Sequence, residues 1–89
     1  MPERYATVRC PQGLHARPAA AFARAAAQMS HRITLRRTGG DPVPVSSTLM
    51  LLSLGLKEGE EVVLTSDDEA AGPALDQLAA LLATDLDIR

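Results

Sequence analysis

The stretch Ala16-Arg17-Pro18-Ala19-Ala20-Ala21-Phe22-Ala23-Arg24-Ala25-Ala26-Ala27-Gln28 is the best helix-forming run in the chain. Ala19, Phe22, Ala23, Ala26 and Met29 recur on one side at helical spacing, and so compact a face can approach a sheet closely. Upstream, Pro11-Gln12-Gly13 breaks a preceding alternating segment, Arg4–Arg9, which reads as a strand with Tyr5 on one face and Ala6 and Val8 on the other. Downstream, Ile33-Thr34-Leu35-Arg36 alternates as a second strand, and Thr38-Gly39-Gly40-Asp41-Pro42 is the clearest turn signal in the sequence. Val43-Pro44-Val45 follows; a proline inside it implies an edge strand.

The second half repeats the alternation of elements. Ser46 or Ser47 can cap a short helix ending at Leu54 before Gly55, with Leu51 and Leu54 inward and Thr48, Leu49 and Leu52 on other faces. Lys57–Glu60 reads as a loop and Glu61–Thr65 as a strand. Ser66–Glu69 supplies cap residues and first-turn acids for a last helix to about Ala83, with Leu75, Leu78 and Leu82 as its buried stripe. The order is β-α-β-β-α-β-α, without linker, repeat or low-complexity tail. It predicts a two-layer α+β domain spanning 1–89, with helices over one face of a small sheet and the other face in water.

Composition narrows the function. A chain of 89 residues supports one core. Folding at this size buries about 60–65% of the unfolded surface, so a site is expected on a shallow rim rather than in a deep pocket. No stretch approaches a membrane span, one cysteine (Cys10) excludes an internal disulfide, and no apolar leader follows Met1, so a cytoplasmic protein is expected. Residues 1–40 hold seven arginines against Glu3 alone, whereas residues 41–89 hold Lys57 and Arg89 against ten acids. A basic half could meet nucleic acid, but Tyr5 and Phe22 are the only aromatic residues, too few to stack bases.

The chemistry centres on His15, which falls between the glycine-containing break and the alanine helix. Unpaired backbone N–H groups and the peptide dipoles favour negative charge there. Arg17 adds a guanidinium fork that matches phosphate oxygens, Gly13 lets the backbone bend close to the ring, and Pro18 holds the first turn. These residues read as a phosphate cradle around a nucleophile, and the positive surroundings should keep the free imidazole largely neutral near pH 7. The residue before a proline is biased away from the α region, so the pattern also predicts either a later helix start or strain at Arg17. No glycine loop of the ATP-binding type occurs, so direct binding of ATP is not expected. His31 is expected to be exposed and without a role; Cys10 reads as a small buried thiol; Asp67, Asp68 and Glu69 read as helix-start acids rather than a metal cluster.

The heptad Gly13-Leu14-His15-Ala16-Arg17-Pro18-Ala19 closely resembles the active-site signature of the histidine-containing phosphocarrier (HPr) family of the bacterial sugar phosphotransferase system. Length and element order agree over essentially the whole chain. The resemblance implies an open-faced β-sandwich, a four-stranded antiparallel sheet with three helices on one side. It implies that His15 accepts a phosphoryl group at Nδ1 from enzyme I and passes it to a IIA component. Ala16 and Arg17 would bind the phosphate, and Ala20, Arg24, Ala27, Thr48, Leu49 and Leu52 would form the docking surface of a monomer needing no cofactor or metal. Ser47 matches a regulatory phosphosite, but this chain has Ser46 where that motif has lysine and Met50 where it has glycine, and a helix N-cap is the better reading. Two rival readings stand beside this one: a carrier of the same fold serving a nitrogen-linked or dihydroxyacetone-kinase branch, and a non-phosphorylated binding module.

Overall fold

The computed structural model describes residues 2–9, 16–29 and 31–83. Its elements are β1 (Glu3–Thr7), α1 (Ala16–Ala27), β2 (Ile33–Arg37), β3 (Val43–Pro44), α2 (Thr48–Ser53), β4 (Glu61–Ser66), a 3₁₀ turn (Glu69–Ala71) and α3 (Gly72–Leu82). The order is the one the sequence predicts. The sheet is antiparallel throughout, in the order β1-β4-β2-β3. β3 is an edge strand, where the missing N–H of Pro44 costs no ladder bond.

Strand alternation sets the two faces. Ala6, Ile33, Leu35, Val43, Val62 and Leu64 point to the helices and join Ala19, Phe22, Ala23, Ala26, Leu51, Leu75, Leu78 and Leu82 in one core. The alanine face of α1 behaves as its spacing predicts, and Met29 packs at its margin.

The helix-free face departs from expectation in one place. Val63, directly paired with Tyr5 and Arg36, has no exposed surface, although it lies opposite to Val62 and Leu64. Glu3 and Arg36 reach across β4 to an ion pair 3.6 Å long beside it. That face is therefore shielded at its centre, not uniformly wet.

Local chemistry explains where the helices start and stop. The Ser47 hydroxyl caps α2 by accepting from the Met50 N–H at 3.2 Å. Gly55, at φ 61°, takes the left-handed position that ends it. At the last helix the structure corrects the simple cap-then-helix expectation. Asp68 caps the intervening 3₁₀ turn, accepting from the Ala70 N–H at 2.9 Å, and α3 begins only at Gly72-Pro73. Proline in a first turn gives up an N–H that has no helical partner, so the new start is tolerated there.

Candidate functional site

α1 begins at Ala16, with no acidic residue in its first turn. Ala16 and Arg17 are exposed there, and Pro18 is buried beneath them. Arg17 is helical although it precedes a proline, so of the two sequence expectations the late start fails. Pro18 is the third helical residue, and the first four N–H groups of a helix lack internal partners, so its ring removes no hydrogen bond. Its burial fastens the first turn to the core. The start of α1 is thus a rigid, acid-free surface where amides and a guanidinium favour an anion.

Cys10, Pro11, Gln12, Gly13, Leu14 and His15 lie outside the described residues. The chain just before them is firmly held. The Arg9 N–H donates to the Leu82 carbonyl at 3.0 Å, the Val8 N–H to Glu60 at 2.9 Å, and the Gly59 N–H to the Val8 carbonyl at 2.7 Å. Arg9 is thus tied to α3 and Val8 to the approach to β4, and Ala16 opens α1.

The charge asymmetry of the two halves turns out to be partly internal. Arg4 of β1 meets Asp76 of α3 at 2.5 Å, and Arg37 of β2 meets Glu60 while its guanidinium also donates to the Gly55 carbonyl at 3.1 Å. Glu60 also accepts from the Lys57 N–H at 3.0 Å. The Arg37 hydrogen bond, then this backbone bond, hold its carboxyl below the ordinary value. By contrast, Arg9, Arg24 and Arg32 form no ion pair with any described residue. Of these, Arg9 borders the His15 segment and Arg24 lies two turns along α1 from Arg17. The basic half therefore divides into arginines used to join the fold and arginines left facing outward.

His31 corrects its sequence reading. It is half-buried, and its Nδ1 lies 2.7 Å from Asp68 Oδ2. Asp68 thereby ties the α1–β2 connection to the start of the 3₁₀ turn, and the Ala70 N–H, then His31, hold its carboxyl below the ordinary value. The pair is structural. Asp68 caps the 3₁₀ turn and Glu69 lies in its first turn.

The expected docking residues lie on two helices that pack against each other, α1 and α2. On α1, Arg24 and Ala27 are exposed and Ala20 is half-buried; on α2, Thr48 is half-buried, Leu49 is 76% exposed and Leu52 36%. Sequence reading missed Met50, which is 40% exposed between those leucines. The signal was available: once Leu51 is inward on a one-and-a-half-turn helix, its chain neighbour turns outward. This apolar surface is contiguous in sequence and unusual for so small a protein. A groove of about 450 Å³ lies elsewhere, between the C-terminal end of α1 and α3, lined by Ala25, Gln28, Met29, Gln77, Ala80 and Leu81. It contains no titratable side chain.

Comparison with known proteins bears on this surface. Residues 2–84 match the family model described as PTS HPr component phosphorylation site. The chain is 46% identical over 87 residues to Phosphocarrier protein HPr of Streptomyces coelicolor, covering 98% of this chain and 94% of that protein. It is 39% identical over 83 residues to the Phosphocarrier protein HPr of Haloferax volcanii, covering 92% and 93%. Among solved structures, the crystal structure of HPr-C-His from Thermoanaerobacter tengcongensis superposes with a TM-score of 0.86 at 28% identity, covering 100% of this chain and 99% of that one.

Proposed function

The chain belongs to the HPr family, the phosphocarriers of the phosphotransferase system, and from that premise we propose that His15 carries the phosphoryl group between enzyme I and a IIA component. Transfer breaks the N–P bond of the donor's phosphohistidine as the bond to His15 Nδ1 forms. The imidazole must arrive with that nitrogen unprotonated, which the cationic surroundings favour. Arg17 and the backbone amides at the start of α1, that of Ala16 included, offset charge on the moving group. The protein is then a substrate and relay rather than a catalyst, needs no cofactor or metal of its own, and acts as a cytoplasmic monomer with residues 1–89 as one carrier unit. None of the described helices is long and apolar enough to cross a membrane.

The observation that carries this reading is the heptad Gly13–Ala19 leading into a helix whose first turn is free of acids and exposes Arg17. Leu49 and Leu52, with Ala20, Arg24, Ala27 and Thr48, form the surface on which partners dock, Arg24 favouring acidic rims. Ser47 serves as the cap of α2, and its hydroxyl oxygen is engaged in that role. Incubation with enzyme I and phosphoenolpyruvate tests the reading. It is expected to yield one acid-labile, alkali-stable phosphate mapped to His15 and absent from His15→Ala. A label on another residue, or none, overturns it. Labelling by the enzyme I of a nitrogen-linked branch, but not by that of a sugar branch, would reassign the donor.

A further inference from the structure

Met50 is chemically out of place on α2. Its side chain is 40% exposed, while the helix is held by Leu51, which is fully buried, and by the Ser47 cap, which uses only the Met50 backbone N–H. The Met50 carbonyl is occupied separately, by the Ser53 hydroxyl at 2.6 Å. The thioether therefore contributes nothing to the core, and a change at sulfur leaves the helix anchored. Met29, the other described methionine, is less exposed: it is half-buried and packs against the core just past the end of α1.

We propose that Met50 is a reversible oxidation site through which peroxide lowers the affinity of the α1–α2 surface for its protein partners. The proposal rests on the carrier reading for its consequence, though not for its chemistry. A sulfur lone pair attacks one oxygen of hydrogen peroxide. The O–O bond breaks, the S–O bond of the sulfoxide forms, and the departing hydroxide takes a proton to leave as water. Sulfur is oxidised by two electrons and peroxide is reduced. A dithiol reductase reverses the step, giving thioether, disulfide and water. The new oxygen is a strong hydrogen-bond acceptor one residue along the helix from Leu49 and two from Leu52, its other exposed large apolar residues. A partner that covers those leucines must desolvate it without a matching donor, which weakens binding by about tenfold.

The test is made in a Cys10→Ser background, so that the thiol does not consume the oxidant. The folded protein is titrated with hydrogen peroxide, sulfoxides are mapped by mass spectrometry, and phosphoryl transfer from enzyme I is followed across carrier concentrations. Met50 is expected to oxidise several times faster than Met29. Treated protein should then show a KM about tenfold above its untreated form with kcat little changed, and methionine sulfoxide reductase should restore it. Met50→Leu should give one KM with and without peroxide. Equal oxidation rates at Met29 and Met50, or an unchanged KM after Met50 is oxidised, overturns the proposal. If untreated protein takes no phosphate at all, the carrier reading fails instead, and the ratio of oxidation rates still decides the site.

Discussion

Helices α2 and α3 have similar apolar content and opposite uses for it. In α3, Leu75, Leu78 and Leu82 are completely buried, Leu81 is half-buried, and the exposed positions go to Pro73, Asp76, Gln77 and Ala80. In α2 only Leu51 is completely buried, while Leu49, Met50 and Leu52 face solvent. A helix that maximised stability would not expose three large apolar side chains in six residues. On the proposed reading, α3 supplies folding free energy while the surface on α1 and α2 keeps its apolar residues for contact with other proteins.

Substitutions on the two sides should therefore separate function from stability. The largest effect belongs to the phosphoryl end: His15→Ala should remove phosphorylation entirely while leaving the thermal transition in place, measured by labelling and calorimetry on the same sample. On the opposite side, Leu78→Ala should cost about 2–5 kcal/mol, seen as a lower unfolding midpoint, because it empties a fully packed position. Its transfer rate per folded molecule should not change. Arg17→Ala should slow transfer by about a hundredfold with the melting temperature nearly unchanged, since its side chain is exposed. Leu49→Ala should move stability by less than about 0.5 kcal/mol yet raise the KM for a partner several-fold; a large loss of stability would break the contrast between the helices.

The smallest effect is an acid limb. Glu60 and Asp68 have carboxyls held below their ordinary values in the folded chain, so they contribute stability above the ordinary carboxylate range and lose it as pH falls through their folded pKa values. Melting temperatures followed downward from neutral pH should fall less steeply in Glu60→Gln and Asp68→Asn than in the parent.

How far the sequence disclosed all this varied with the kind of signal. The α1 face and the stripe of α3 were legible because alanine and leucine recur at 3.6-residue spacing, and the edge position of β3 because Pro44 cannot donate. The His15 heptad was legible only as a motif, and the proposed docking residues on α2 came from the family resemblance that the motif carries. Three features escaped. The continuous run Val62-Val63-Leu64 signalled burial on both faces of β4, against the simple two-face picture. The 3₁₀ turn was hidden because Asp68 is an equally good cap for either kind of helix. The His31–Asp68 contact joins residues 37 apart in sequence, which no local periodicity can express.

The strand order has a further consequence for how the protein is made. Among the described residues β1 pairs with β4 alone, and β2 reaches β1 only through it, so during synthesis β1 waits for residues 61–66 before it has a ladder partner. Contacts of such long sequence separation raise contact order and slow the search for the native state. During translation, the sheet that supports α1 cannot close until its last strand has been synthesised. A fragment ending before residue 61 would carry the heptad without the platform that presents it.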